Sequence, residues 1–302
     1  MKVLYSSDLH GRIHLYEALL ELAISSSSEI IALGGDLLPS LPSTKRYGDM
    51  PSNQKDFIFS FLLPFFNRVI EATSVDLIFL IPGNWDLGYP DLFRKPNERI
   101  IDLDRKCYRL RNGYELVGYP FVPPTPFRPK TYEKMDDREA PWPPQKNPSY
   151  IRASDETGQL VPVDPQFYLR QQDTIQEDLK RLPTPSDSRT AVYMMHSPPL
   201  GTRLDLIQGG RSAGSRSIRV FIEEDQPFLT LHGHIHESPE ISGSFLDYIG
   251  ETLSVNPGQV SLSGKESSRL YAVTFEMERA AETLAHTSFS GGDYPGSSRA
   301  HK

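Results

Sequence analysis

Short apolar runs that stop abruptly at a polar residue recur along this chain. Each run ends at Gly, Asp, Asn or His, which is typical of a buried strand whose carboxyl end opens into a polar crevice. The runs span residues 3–7, 30–33, 77–81, 191–195 and 228–231. Between the first of them, residues 12–24 and 57–70 repeat their apolar positions at helical spacing. This pattern predicts an α/β core.

The later part of the chain has a different texture. Its apolar positions alternate as in antiparallel strands over residues 245–249, 252–255, 270–276 and 282–287. Earlier, Asn112-Gly113 separates two short apolar runs and predicts a hairpin with a two-residue type I′ turn. We therefore expect two sheets packed together and flanked by helices rather than one doubly wound sheet.

Residues 120–165 are rich in proline and also carry aromatic side chains such as Phe127, Tyr132 and Trp142. Proline excludes a central strand, and the aromatic residues argue against a solvated linker, so we interpret the segment as a substrate lid. Asp164-Pro165 at its end predicts a helix from residue 164 to about residue 182. We expect one domain over residues 1–287 and a flexible tail over residues 288–302.

Composition and charge narrow the class of protein. The 302 residues are 38% hydrophobic and 24% charged, which excludes a disordered chain. One cysteine, Cys107, allows no intramolecular disulfide and no thiolate zinc site, so any metal must be held by nitrogen and oxygen. A formal charge of -7 disfavours long nucleic acid as a partner. No apolar run suits a membrane, and an early polar stop at Asp8 argues against a signal peptide, so we expect a cytoplasmic protein.

Polar side chains follow the predicted strands at the point where each strand ends. They are Asp8, His10, Asp36, Asn84, His196, His234 and His236. Because the carboxyl ends of parallel strands share one crevice, these residues can converge, and seven ligands suffice for two metal ions with a shared bridge. Each residue alone fits a cap, a turn or a satisfied histidine. Together they favour a metal centre.

The chain resembles the calcineurin-like metallophosphoesterase superfamily through five blocks that occur in the family's order over residues 3–260. The blocks are Asp8-Leu9-His10-Gly11, Gly34-Gly35-Asp36, Gly83-Asn84-Trp85-Asp86, His196 and Gly233-His234-Ile235-His236. The resemblance implies a four-layer αββα sandwich of two mixed sheets flanked by helices. It implies one metal held by Asp8, His10, Asp36 and His236, and a second held by Asp36, Asn84, His196 and His234.

This ligand set implies a reaction as well. Two cations bridged by Asp36 bind phosphate oxygens and lower the pKa of a shared water, which yields a hydroxide nucleophile. The resemblance thus implies hydrolysis of a small phosphodiester or phosphomonoester, with the diester favoured and with catalytic roles for His10, Asp36 and Asn84. Imidazole, carboxylate and amide donors suit Mn, Fe, Zn or Co, with Mn favoured, better than Mg or Ca.

One block departs from the family's commoner form. Many members have Gly-Asn-His where this chain has Trp85, and the missing histidine is the one usually assigned to protonating the leaving group. Indole offers only an N–H donor and a large ring, so we interpret Trp85 as a packing or stacking surface. The alternative to an active enzyme is a weak or inactive metal-binding scaffold or interaction module of the same fold. A DNA nuclease is disfavoured by the net acidity.

A narrower resemblance, to the Icc-related branch of bacterial and archaeal phosphoesterases, begins at His196 and continues at Gly214-Ser215-Arg216. There a predicted helix opens at Ser215, and its first amides, with Arg216 or Arg211, are candidates for binding a substrate anion. The alternative is a capped helix with solvated arginines.

His232 is the last candidate for contact with substrate. It lies two residues before His234 and therefore on the same face of a strand. Either it reaches the site or it is bonded to neighbouring backbone. For the protein as a whole we expect a small phosphate ester as the partner, no membrane, and a possible homo-oligomer.

Overall fold

Alternate side chains of the first strand face two different apolar cores. Val3 and Tyr5 join one buried cluster, whereas Leu4 joins another. Because successive side chains of a strand point to opposite faces, a strand with this pattern must be covered on both sides. The computed structural model, which describes residues 1–40, 49–93, 97–142, 150–153, 159–259 and 269–289, shows how that coverage is built.

The strands of the described residues are β1 (Lys2–Ser6), β2 (Ile30–Leu33), β3 (Leu77–Leu80), β4 (Ile100–Asp102), β5 (Cys107–Arg109), β6 (Glu115–Tyr119), β7 (Tyr150–Ala153), β8 (Leu160–Val163), β9 (Ala191–Met195), β10 (Leu206–Ile207), β11 (Arg211–Ser212), β12 (Leu229–Leu231), β13 (Leu246–Ile249), β14 (Thr252–Val255), β15 (Leu270–Glu276) and β16 (Ala285–Phe289). The α-helices are α1 (Ile13–Ser26), α2 (Met50–Phe57), α3 (Leu63–Ala72), α4 (Pro165–Arg170), α5 (Ile175–Leu179), α6 (Arg216–Asp225), α7 (Ser238–Ser242) and α8 (Ala280–Thr283). A π-helical turn, Ile58–Leu62, joins α2 to α3.

Two six-stranded mixed sheets contain most of these strands. The first has the order β16-β15-β1-β2-β3-β4, with β1 to β4 parallel and β15 antiparallel to β1. The second has the order β13-β14-β12-β9-β6-β5, with β6, β9, β12 and β14 parallel between two antiparallel edge strands. In each sheet the parallel strands therefore direct their carboxyl ends toward one edge.

The two sheets pack face to face between two layers of helices. Val192, Leu229 and Val273 are among the apolar side chains buried between the sheets. Helices α1 and α3 cover the outer face of the first sheet, and α5 and α6 cover that of the second. The predicted αββα sandwich is thereby confirmed. Among the described residues, no helix combines the length and the apolar character needed to cross a membrane.

Two predicted strands of the later part of the chain are placed differently. β14 is antiparallel to β13, as predicted, but it pairs in parallel with β12 on its other side. Residues 252–255 alternate polar and apolar side chains, but all four are buried, so the alternation does not mark an exposed face or an antiparallel pairing on both sides. Residues 280–283 are helical rather than extended, and β16 continues past residue 287 to Phe289. Residues 290–302 of the predicted tail lie outside the described residues.

The hairpin of β5 and β6 closes through a longer loop than predicted. Arg109 pairs with Glu115, and the N–H of Gly113 donates to the carbonyl of Leu110 at 3.0 Å. Of the Asn-Gly pair only Gly113 has a positive φ, at 90°. A type I′ turn needs a positive φ at both central residues, so the predicted turn type is wrong.

The helix predicted over residues 164–182 is two short helices. Asp164 caps α4 as predicted, since its carboxylate accepts two backbone N–H groups. However, α4 ends at Arg170, and Thr174 then forms a capping box with Glu177 that begins α5. An N-cap needs an extended backbone, so a second cap inside the predicted helix interrupts it.

The described start of the proline-rich segment is anchored on the outer face of the second sheet. Phe121 and Tyr132 lie in the same buried cluster as α5 and α6. Lys134 forms a buried ion pair with Asp178 of α5, with Nζ and Oδ2 2.5 Å apart. These aromatic residues therefore pack against the outer helices and do not cover the crevice. Phe127, which is 44% exposed, is different.

A second buried ion pair fixes the turn that carries Phe127. Lys130 Nζ lies 2.8 Å from Glu133 Oε2, and the two side chains are at most 1% exposed. Lys130 also donates to the carbonyl of Thr125, and Glu133 accepts the N–H and the hydroxyl of Thr125. The additional hydrogen bonds offset the desolvation of the two charges.

Removing one partner of this pair should destabilise the protein strongly. We expect Lys130→Met to lower the free energy of unfolding by about 3–5 kcal/mol, because Glu133 is left as an unpaired buried charge. Arg189→Met, which breaks an exposed ion pair with Asp187, is the control and should cost no more than about 1 kcal/mol. Urea unfolding measures both. Equal effects of the two substitutions would contradict this account of the turn.

Candidate metal centre

The loops that follow β1 and β2 lie side by side and are joined by backbone hydrogen bonds. The N–H of Asp8 donates to the carbonyl of Gly35 at 2.9 Å, and the N–H of His10 donates to the carbonyl of Asp36 at 2.8 Å. These bonds extend the parallel pairing of the strands into the loops. Three predicted ligands are thereby placed at one edge of the first sheet.

The backbone of these loops has an unusual conformation. Seven described residues other than glycine have a positive φ, and four of them are predicted ligands: Asp8, His10, Asp36 and His234. A left-handed conformation costs a side-chain-bearing residue about 1–3 kcal/mol and concentrates at functional sites. The fold therefore maintains an unfavourable backbone where it positions these side chains.

Four of the predicted ligands form a tight cluster. Asp8, His10, Asp36 and His236 each offer one ligand atom within 4.8 Å of the others. His236 Nε2 lies 3.0 Å from Asp8 Oδ1 and 3.3 Å from His10 Nε2, and His10 Nε2 lies 3.8 Å from Asp36 Oδ2. Facing imidazole nitrogens beside two carboxylates suit a shared cation.

The other three predicted ligands surround the far side of Asp36. His196 Nε2 lies 3.6 Å from Asp36 Oδ2, and the rings of His196 and His234 have centroids 5.2 Å apart. Asn84 is buried between Gly83 and Trp85, both of which approach the carboxylate of Asp36. His10 and His196 both approach Oδ2 of Asp36, and His234 lies beside His196, while Asn84 follows Gly83 in a loop that approaches the same carboxylate.

Buried polar atoms test whether this arrangement fits metal ions. Among the described residues, His196 Nε2 and both side-chain polar atoms of Asn84 are buried without a hydrogen-bond partner and belong to predicted ligands. Native proteins rarely leave such atoms unsatisfied, and an ion is one of the recognised reasons. Nitrogen and oxygen donors of this kind fit divalent transition metals, so the residues match the predicted centre.

The charges of the site follow from its burial and its close packing. Burial opposes ionisation of both carboxylates, but the neighbouring histidines outweigh it and lower the pKa of Asp8 and of Asp36. Burial lowers the pKa of His10 to about 4 and that of His234 to about 3, so both rings are neutral near pH 7. Burial also disfavours the charge on His196, but Asp36 raises its pKa to about 9. Metals bind neutral imidazole and ionised carboxylate, so His196 would release its proton when an ion binds.

Two buried residues that we did not assign a role hold the ligand loops in place. Asp86 accepts N–H groups of Leu37, Leu38 and Gly83 at 2.8 to 3.0 Å, so it ties the loop after β2 to the loop after β3. Gln54 of α2 donates to the carbonyl of Trp85 at 2.7 Å. Asp86 lies in a recognised block, whereas nothing in the sequence pattern distinguishes Gln54.

The loop after β12 is held in a similar way. Asn256 donates to the carbonyls of Gly233 and Ile235, which flank His234 in the chain. A Cβ on Gly233 would lie 2.5 Å from Asp8 Oδ2, so a larger residue would collide with a ligand. The loop therefore needs glycine for close approach.

Trp85 lies at the edge of this site. Its backbone N–H donates to Asp36 Oδ1 at 2.8 Å. Its ring is partly exposed and packs toward Leu160 and Phe127. The indole offers no acidic group, as expected from the sequence. Its ring forms an apolar surface beside the metal ligands.

The residues predicted to bind the substrate anion have other contacts or lie on the surface. Ser215 caps α6, but the carboxylate of Asp136 accepts the Ser215 hydroxyl and the N–H groups of Arg216 and Ser217. The amides predicted to bind substrate therefore already bind a carboxylate of this chain. Arg211 is exposed on the short strand β11.

His232 is also satisfied within the protein. It is fully buried, its Nδ1 faces the carbonyls of Met195 and Ser197, and its Nε2 lies 2.8 Å from Thr230 Oγ1. Both ring nitrogens are thus engaged, and the structure favours the alternative in which this histidine is bonded to neighbouring backbone.

A separate cavity lies away from these ligands. It has a volume of about 790 Å³ and opens between α5, α6 and the proline-rich segment, near Lys180 and Phe221. None of the seven predicted metal ligands lines it. Its walls mix acidic and basic side chains with apolar ones, and we assign it no role.

The fold and the site together define an αββα protein with a cluster of nitrogen and oxygen donors, suited to metal binding, where its two sheets meet. A model of the calcineurin-like phosphoesterase family matches residues 1–238. The chain therefore belongs to the calcineurin-like phosphoesterases. No curated protein matches its sequence.

Solved structures share the architecture. The protein TT1561 of Thermus thermophilus superposes with a TM-score of 0.51 at 16% identity, over 95% of this chain and 98% of its own. A dimetal phosphatase from Danio rerio gives a TM-score of 0.54 at 11% identity, over 96% of each chain. At these identities the likeness shows the fold.

Asp86 should be essential for holding the ligand loops together. In Asp86→Asn one acceptor oxygen becomes an amino group that faces a backbone N–H, and a buried amide left unsatisfied costs about 1–3 kcal/mol. We expect a loss of stability of that size and about 10–100-fold weaker metal binding, as for other residues that orient ligands. Urea unfolding and metal titration measure these effects. The exposed Asp56→Asn is the control, and a metal affinity for Asp86→Asn equal to that control would contradict the role.

Proposed function

We propose that this chain is a dinuclear metal-dependent phosphoesterase that hydrolyses small phosphate esters. One observation carries the proposal: Asp8, His10, Asp36 and His236 form one tight cluster, His196 lies against Asp36, and His196 and Asn84 present buried atoms with no hydrogen-bond partner among the described residues. A purely structural cluster would satisfy those atoms internally. Two divalent transition-metal ions, with Mn²⁺ favoured, account for them.

The ligands divide into two groups that share one carboxylate. Asp8, His10 and His236 would hold one ion, and Asn84, His196 and His234 would hold the other (Asp36 joining both groups). When bound, such ions bind phosphate oxygens and supply a nucleophile at neutral pH. Asp36 would be the carboxylate that both ions share, and the neutral His10 is suited to carry a proton at Nδ1.

A phosphodiester is the favoured substrate class. Trp85 stands where many family members have a histidine, so no side chain at this position donates a proton to the leaving oxygen. Esters whose alcohols leave readily as anions lose least from that difference. The similarity in fold to a dimetal phosphatase supports phosphate-ester chemistry and leaves diester preference to the assay.

The test is hydrolysis by the purified full chain of aryl phosphodiesters, aryl phosphomonoesters and cyclic nucleotides, with Mn²⁺, Zn²⁺ or Mg²⁺ added. Turnover that requires a transition metal and prefers the diesters supports the proposal. If the protein contains two metals per chain and hydrolyses none of these esters, the proposal is wrong and the chain is instead a metal-binding scaffold of the same fold.

Substitution of a shared or unpartnered ligand should remove both metal and activity. We expect Asp36→Asn and Asn84→Ala to reduce kcat/KM at least about 100-fold, because orienting residues alone contribute 10–100-fold at metal sites. Metal content by mass spectrometry should fall in parallel. His14→Gln, an exposed histidine of α1, is the control and should keep both. Retained turnover in Asp36→Asn at unchanged metal content would place the chemistry elsewhere.

The rate should depend steeply on the leaving group. In a series of substituted phenyl esters of methyl phosphate, kcat/KM should rise as the phenol becomes more acidic, because no residue at position 85 protonates the departing oxygen. Every member of the series carries one aromatic ring, so stacking is held constant. A rate independent of phenol acidity would mean that another group supplies the proton or that chemistry is not rate-limiting.

A further inference from the structure

Two aromatic rings from distant parts of the chain meet beside the metal ligands. The centroids of Trp85 and Phe127 are 5.6 Å apart, and the ring planes are inclined by 50°. The backbone N–H of Trp85 donates a hydrogen bond to Asp36 Oδ1 at 2.8 Å, so the residue that carries one of these rings is anchored at the carboxylate that the two ligand groups would share.

Buried neighbours hold Trp85 in position. Its ring packs with Leu160 against the buried side chains of Met50 and Leu87. Its carbonyl accepts the side-chain amide of Gln54, a fully buried residue. The ring is therefore a fixed surface and is only partly exposed.

Phe127 is presented on an equally well fixed turn. Its N–H donates to Thr125 Oγ1 at 3.1 Å, and Thr125 is held by the buried Lys130–Glu133 pair. Yet 44% of Phe127 remains exposed. A rigid base that holds an apolar ring in solvent, next to a second ring, is a surface suited to binding.

Phe121 of the same segment makes the contrast clear. It is 6% exposed and packs in the core of the second sheet. Among the described residues, the segment therefore buries Phe121 where it is anchored and leaves Phe127 largely exposed where it meets Trp85. General disorder of the segment does not explain this difference, since both residues lie on ordered backbone with defined hydrogen bonds.

We infer that Trp85 and Phe127 form a stacking subsite for the planar aromatic group of a phosphate ester, either an aryl group or a nucleobase. The inference rests on the proposed function, because the metal centre would hold the phosphate of the same molecule. Planar rings stack on aromatic side chains with little dependence on their identity, so both sources share the required chemistry. Residues 120–165 thus contribute one specificity-determining side chain to the site.

Binding at this subsite can be measured without turnover. The chain has two tryptophans, so in a Trp142→Phe background the fluorescence reports Trp85 alone. The Mn²⁺-loaded protein is titrated with phenylphosphonate and with methylphosphonate, whose carbon–phosphorus bonds are not hydrolysed by an esterase. We expect phenylphosphonate to alter the Trp85 emission and to bind about tenfold more tightly, the factor expected for one stacked ring.

Variants assign the effect to the two rings. Phe127→Leu should reduce the preference for phenylphosphonate to about twofold or less, and Phe127→Tyr should retain it, because one keeps only apolar bulk and the other keeps the ring. Tyr248→Ala removes an aromatic residue that is 54% exposed on β13 and should leave the preference unchanged. A parallel comparison of the 5′-methylenephosphonate analogues of adenosine 5′-monophosphate and of ribose 5-phosphate, which an esterase does not hydrolyse, distinguishes a nucleobase from an aryl group.

The outcomes separate this inference from the proposed function. Equal affinity for phenylphosphonate and methylphosphonate, or no binding of either, overturns the subsite even if the protein hydrolyses esters. A preference that survives Phe127→Leu also overturns it. A preference that is lost in Phe127→Leu and kept in Phe127→Tyr supports the subsite even if no ester is hydrolysed.

Discussion

Two buried carboxylates set the electrostatic constraint on which the rest of the structure depends. Asp8 and Asp36 are each 1% exposed, and neighbouring imidazoles lower the pKa of both against the effect of burial. A buried charge needs such partners. The carboxylates follow strands of the first sheet, whereas His196 and His236 follow strands of the second. The face-to-face packing of the two sheets is therefore also what pairs these charges.

The same constraint explains why so much rigidity surrounds the site. Left-handed backbone at Asp8 and Asp36 persists only if the surroundings enforce it. The hydrogen bonds between the loops, the three backbone N–H groups that donate to Asp86 and the side chain of Gln54 hold the backbone in this conformation. Ligands fixed in this way lose little freedom when they bind a cation, which is the general requirement for a preorganised centre.

The sequence predicted the parts of this molecule that depend on local pattern. Buried parallel strands read as apolar runs, and the residues at their ends met around Asp36 because parallel strands share a carboxyl edge. The parallel pairing of β14 was not predicted, because the side chains of this short strand are buried on both faces and do not indicate the direction of its neighbour. The break before Thr174 was not predicted, because it depends on the hydrogen bonds of a single capping box. Gln54 was missed because its partners are distant in sequence.

Asp136 occupies the start of α6, where we expected the anion of a substrate. The start of α6 was expected to attract an anion, and it does, but the anion is a carboxylate from the proline-rich segment. Asp136 therefore fixes one end of the stretch that carries Phe127, as the Lys130–Glu133 pair fixes the turn itself. The segment that we interpreted as a substrate lid is thus anchored by buried polar contacts on both sides of Tyr132, and one of these anchors supports the turn that presents Phe127 beside Trp85. Polar anchors of this kind let an insertion shape the entrance to a metal centre without contributing a ligand.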